Sequence, residues 1–191
     1  CSAGPAFEGG DISCGMRATD GAIEACSIDA KTMEPTFSVI GKEGQKPVGL
    51  CGSGIIDVIA ELFRCGIISP KGKFVREGDR VRHDHYGIGS YVLAFKEDAA
   101  GHKDVEINEV DIDNFIRAKG AIFSAICTML RSLDFDVSMI ENVYVAGGIG
   151  SGINMRNAVT IGMFPDVEID KFHYIGNSSL TGAYNMTLST E

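Results

Sequence analysis

Residues 144–154 read YVAGGIGSGIN, a short apolar run that ends in Gly147 and Gly148 and continues through Gly150 and Gly152. That density of glycine costs backbone entropy, and it suits a chain that must bend hard or let a flat or anionic ligand touch its main chain. The spacing is not the G-x-G-x-x-G dinucleotide fingerprint, and no G-K-[ST] follows as a P-loop requires. From the residues alone two readings stay open: a nucleotide or phosphate site, and a tight strand–helix junction. Two further stretches could share such a site. CGSG at 51–54 sets Gly52 and Gly54 about Ser53 at the start of an apolar helical run, a shape that suits an anion or tight packing. GPAFEGGD at 4–11 carries Glu8 and Asp11, which could orient water or hold Mg²⁺, or could be plain surface acids.

Other chemistry is poorly provided for. There is no G-x-S-x-G, and Ser53 has no evident histidine base. The six cysteines (Cys1, Cys14, Cys26, Cys51, Cys65 and Cys127) form no C-x-x-C pair, so they are read as small buried hydrophobes in a reducing compartment. His83-Asp84-His85 finds no further ligands nearby and reads as a polar loop, so no metal site is expected. A net charge of −9 argues against a broad nucleic-acid surface. With no run of 18 apolar residues and no signal-peptide pattern, neither a membrane span nor export is expected, which leaves the cytoplasm. A hydrophobic content of 45% excludes disorder, and a first residue Cys1 suggests a piece of something longer.

The elements that would position these residues alternate. Strands are predicted over 22–29 and 36–40, then a helix over 51–66 with Ser53 as N-cap and Gly66 as the left-handed stop. Residues 67–90 read as an irregular, charged surface excursion. Strands follow at 91–95 and 105–107. The longest helix is expected over 109–133, with Asn108 and Asp111 as a capping box and a broad apolar face from Ile112 to Leu133. Gly120 inside that helix suggests close packing against another backbone. The end of the chain repeats strand (142–146), glycine turn, helix (154–161), strand (172–175) and a helix through Tyr184 and Met186. The rhythm argues an α/β fold.

Four stretches, GPAFEGGDISCGMRATDGAI (4–23), GLCGSGIIDVIAELFRCGIIS (49–69), YVAGGIGSGINMRNAVTIGMFPD (144–166) and YIGNSSLTGA (174–183), resemble in order the C-terminal region of the reductive activators of corrinoid proteins. The likeness leans toward the archaeal methylamine methyltransferase corrinoid activases of methanogenesis. It implies a ribonuclease-H-like lobe of the actin, sugar kinase and heat-shock-70 ATPase superfamily, with nucleotide in a cleft between two lobes. It further implies ATP and Mg²⁺ as cofactors, and an iron–sulfur cluster on a separate domain of the full-length protein. The activity implied is an ATP-driven return of Co(II) corrinoid proteins to Co(I).

On that resemblance, VYVAGGIG (143–150) is similar to the superfamily's adenosine motif, which assigns Gly147 and Gly148 to the nucleoside and Gly150 and Ser151 beside them. Gly148 is expected at positive φ. Gly4, Glu8, Gly52 and Ser53 are candidates for the phosphate or Mg²⁺–water surroundings. Residues 1–191 then correspond to most of the second lobe, with the first lobe, its phosphate loop and the cluster cysteines elsewhere. Such a piece is expected to be inactive alone. The implied partners are those missing parts, a corrinoid protein and its methyltransferase system, not nucleic acid or membrane. Two alternatives remain: the lobe of a sugar kinase or radical-dehydratase activator, and a docking domain that offers the basic side chains of 67–90 to an acidic corrinoid protein.

Overall fold

A computed structural model describes residues 4–147 and 152–189. Strand β1 (Ala22–Ile28) pairs antiparallel with β2 (Pro35–Val39) on one side and parallel with the two-residue β3 (Gly49–Leu50) on the other. β3 covers only Ala22 and Ile23. Helix α1 (Gly52–Arg64) follows at once and takes over the same edge. Two of its acids, one turn apart, accept the amides that a strand would otherwise have met. Asp57 takes Cys26 N–H at 3.3 Å and Glu61 takes Ile28 N–H at 2.9 Å. These acids sit between Ile55, Ile56, Val58, Ile59 and Leu62, so Gly52 through Leu62 is buried on every side. The helix ends as predicted. Gly66 has φ 63°, and its N–H and that of Ile67 bond to Phe63 and Leu62 carbonyls in a Schellman motif.

A second antiparallel sheet joins β4 (Val81–His83), β5 (Gly89–Ala94) and β6 (Val105–Asn108) in that order. The stretch 67–90 is thus more regular than its composition suggests. It holds β4, a bridge between Ile68 and Phe74, and buried Ile67, Ile68 and Val81. Short apolar anchors among charges carry too little periodicity to reveal this. The His-Asp-His segment runs from the last residue of β4 into the β4–β5 connection, where Asp84 accepts the amides of Tyr86 and Ile88, both at 2.8 Å.

Helix α2 (Glu109–Ser132) starts with the predicted capping box between Asn108 and Asp111. Buried Asp111 also accepts Ser13 N–H at 2.8 Å, and Asn114 donates to Asp11 O, which ties the 4–16 loop to this helix. Its apolar face is only partly covered. Ile112 and Phe115 are buried, whereas Phe123, Met129 and Leu133 are exposed. Gly120 faces open space, not another backbone: nothing stands within 4 Å of its Cβ position, although Lys119 and Ile122 beside it do meet the rest of the chain. β7 (Val143–Val145) and β8 (Phe172–Tyr174) form a parallel pair, with α3 (Met155–Thr160) between them in sequence and α4 (Ser178–Leu188) after them.

Candidate functional site

Three segments converge at one corner. The first is the 3-10 turn Pro5–Glu8, entered at Gly4 (φ 91°). Phe7 is buried there with its ring 5.1 Å from Phe115 of α2, while Glu8 is exposed. The second is the start of α1. A Cβ on Gly52 would overlap the carbonyl oxygen of Phe7, and one on Gly54 would overlap that of Ile23. Glycine at these positions therefore lets α1 begin directly against the loop and β1. Ser53 is not the N-cap. Cys51 occupies that position without a side-chain capping bond, and the Ser53 hydroxyl lies buried in the first turn, 3.3 Å from Cys51 Sγ.

The third segment is the glycine turn. β7 delivers Gly147 at φ 104°, a backbone state that any Cβ would strain. Its N–H donates to Gly176 O and its carbonyl accepts from the Tyr174 hydroxyl, both at 2.9 Å, so the turn is tied to the loop after β8. Gly148, Gly150 and Ser151 lie outside the described residues. At Gly152 the chain stands against α1, where an added Cβ would be 3.3 Å from Ser53 Oγ.

A cavity of about 780 Å³ opens between the first and third of these segments, with Phe7 and Glu8 on the loop side, Ala146 and Gly147 on the turn, and apolar walls that include Ile153 and Met163; Gly4, Gly52 and Ser53 do not line it. The size suits a small molecule, and the apolar walls suit a flat base. Glu8, Asn142 and Tyr144 are its polar side chains, and among the described residues it offers no lysine or arginine, so phosphate groups would draw their donors from backbone or from other parts of the protein. Glu8 alone could meet a phosphate-bound Mg²⁺, which commonly uses one or two carboxylates. Among the described residues no group of three or more His, Cys, Asp or Glu could hold a metal ion, so these residues do not fit an iron–sulfur cluster. Of the cysteines, Cys26 and Cys51 are buried, and Cys14, Cys65 and Cys127 are half-buried with free thiols. Cys1 lies outside the described residues.

Sequence reasoning missed the buried polar side chains behind the site. Asn157, in α3, donates to Asp57 of α1 at 2.7 Å, and both residues are buried. The signal for Asp57 and Glu61 was present: two acids four apart inside a run of aliphatics. Asn157 carried none. Burial raises the Asp57 carboxyl above its usual range, against the lowering effect of the bonds from Asn157 and Cys26. Burial, with Glu61 and Asp57 close by, pushes the Cys26 thiol up to about 12. At the other end of α3, Lys119 of α2 donates to Ile161 O at 2.5 Å, and burial lowers its ammonium pKa.

The basic stretch is already engaged within the chain. Lys73 pairs with Glu109, Arg80 with Glu34 and Arg82 with Asp104, and Arg76 donates to the carbonyls of Ala30 and Cys65. These contacts tie the stretch to α2, to the ends of β1 and α1, and to both sheets, and they leave little free charge for a partner. None of the described helices is long and apolar enough to cross a membrane.

The chain matches, over residues 1–191, the family described as the C-terminal domain of RACo, the ASKHA domain. It is 37% identical over 196 residues to the corrinoid activation enzyme RamQ of Eubacterium limosum, covering 98% of this chain and 32% of that protein. It is 27% identical over 212 residues to a [Co(II) methylated amine-specific corrinoid protein] reductase of Methanosarcina barkeri, covering 98% of this chain and 34% of that one. Among solved structures, a reductive activator for a corrinoid, iron–sulfur protein superposes with a TM-score of 0.89 at 47% identity, over 99% of this chain and 30% of that one. The chain thus spans about a third of the length of its relatives, and identity is higher to the iron–sulfur protein's activator than to the methylated-amine reductase. With its α/β architecture, its glycine turn and a full-length match, the chain belongs to the RACo C-terminal family and has the fold of the actin, sugar kinase and heat-shock-70 ATPase superfamily.

Proposed function

We propose that this chain is most of the second, nucleotide-binding lobe of an ATP-dependent reductive activase that returns corrinoid proteins from Co(II) to Co(I). The observation that carries the reading is the glycine turn itself. It leaves the carboxyl end of a parallel strand pair, where open α/β sheets place their ligands, and Gly147 lines an apolar cavity opposite Glu8. In this reading Gly147 and Gly148 lie against adenosine with Gly150 and Ser151 beside them. Gly4, Glu8, Gly52 and Ser53 surround the phosphates or the waters of Mg²⁺. Reduction of Co(II) takes one electron, and in this reading an iron–sulfur cluster on another domain of a longer protein supplies it. The printed functions of the relatives, corrinoid activation and reduction of a Co(II) corrinoid protein, support a corrinoid protein as partner, and this reading adds its methyltransferase and a cytoplasmic setting.

The test uses the full-length protein, its Co(II) corrinoid partner and a low-potential reductant, followed by absorbance of the corrinoid. Co(I) should accumulate only with ATP present, and Gly148→Ala should slow that reduction at least tenfold. Reduction at the same rate without ATP would overturn the reading.

A further inference from the structure

Helix α3, which leads away from the glycine turn, has six residues, and a helix this short does not hold its place by backbone bonding alone. Two side chains from other elements pin it. Near its start, Asn157 Nδ2 donates to Asp57 Oδ1 at 2.7 Å across 100 residues of sequence. Past its end, Lys119 Nζ donates to Ile161 O. The second oxygen of Asp57 accepts from Cys26 N, so the same carboxylate links α3 to the central strand β1. Neither Asp57 nor Asn157 lines the cavity, but α3 is flanked by Ile153 and Met163, which do, and by Gly152, which abuts Ser53.

We propose that Asp57 and Asn157 form a latch that fixes α3, and with it Gly152, Ile153 and Met163, at the separation from α1 that nucleotide binding requires. Both are positioning residues, and the proposal rests on the nucleotide reading above. The physical case is directional. An apolar contact between two helices tolerates sliding, whereas a short hydrogen bond between two buried groups fixes one geometry and leaves a desolvated carboxylate oxygen unpaired when it breaks. A binding site displaced by about 1 Å loses much of its function, so the latch is felt at the site without touching the ligand. Its amide–carboxylate chemistry is also reversible by exchange of the two side chains. With amide and carboxylate swapped, the new amide on α1 donates to the new carboxylate on α3 and still accepts from Cys26 N–H.

That reversal supplies the experiment, a double-mutant cycle in the full-length protein. Asn157→Asp sets two carboxylates face to face. Hydrogen exchange in the 153–162 peptide should rise at least tenfold, and ATP affinity by calorimetry should fall at least tenfold. Adding Asp57→Asn should bring both back to within about threefold of wild type, a rescue that bulk destabilisation would not give. If Asn157→Asp does not fold, Asn157→Ala removes the donor alone and should move both readings in the same direction. Unchanged exchange in a folded variant would show that the pair does not hold α3. Faster exchange with unchanged ATP affinity would show that α3 does not position the site. A reversed pair without rescue would overturn the latch as well. A wild-type protein that binds no ATP would overturn the nucleotide reading, and the positioning role with it, while exchange would still report whether the pair holds the helix.

Discussion

Helices α1 and α4 are both rich in apolar residues, and they meet opposite fates. In α1, Ile55, Ile56 and Leu62 are 0% exposed and even two acids are buried; in α4, Leu180 is 67% exposed and Met186 81%. The difference follows from neighbours. α1 lies between β1 and α3, begins under Phe7, and spends its two carboxylates on β1 amides. α4 follows a sheet of two strands, which is marginal on its own, and buries none of its residues. The first half of the chain therefore carries most of the stability, and the second half carries the glycine turn.

That division can be broken most directly at two leucines. Leu62→Ala should cost about 2–5 kcal/mol in urea melts, through lost burial and the cavity left behind. Leu188→Ala, at a residue 62% exposed, should stay within about 0.5 kcal/mol. Equal losses would erase the distinction. Glycines give the next largest contrast. Gly52→Ala forces a methyl into the Phe7 carbonyl and should cost about 2–3 kcal/mol. Gly182→Ala, inside α4 with open space at its Cβ position, should stabilise the protein by up to about 1 kcal/mol. Thermal melts of the two variants should move in opposite directions.

Titration gives the smallest effect and the sharpest sign. Burial raises the Asp57 carboxyl, so its stabilising contribution is full below the unfolded value near 3.8 and is lost as pH rises through the raised one. Asp136, in the second half, is lowered by the amide and hydroxyl of Ser138, so its contribution is present above the unfolded value and lost as pH falls through the lowered one. In melts across the carboxylate range, Asp57→Asn should gain on wild type as pH rises. Asp136→Asn should gain on it as pH falls. The same sign for both would contradict the assigned causes.

Much of this was legible in the sequence because local rules and fold agreed. Gly66 stops α1, Asn108 and Asp111 box the start of α2, and the glycine turn follows a strand. Ser53 misled because CGSG looks like a cap, whereas the packing of Gly52 on Phe7 and Gly54 on Ile23 fixes where the helix begins. Gly120 misled for the opposite reason, since no backbone or side chain stands within 4 Å of its Cβ position. The convergence of Glu8, Ser53, Gly147 and Gly152 is a long-range outcome, and no local pattern encodes it. The Asp57–Asn157 bond spans 100 residues and was invisible for the same reason.

The claim that the glycine turn holds nucleotide is tested most directly by titrating ATP into full-length Gly147→Ala, with Gly182→Ala as a control from the same half. At φ 104° alanine strains the backbone by about 1 kcal/mol or more, and no neighbour within 4 Å adds a clash. The account predicts ATP affinity at least tenfold weaker, about 1.4 kcal/mol, in a protein that still melts cooperatively, with the control unchanged. Equal ATP affinity in wild type and Gly147→Ala, both folded, would contradict it.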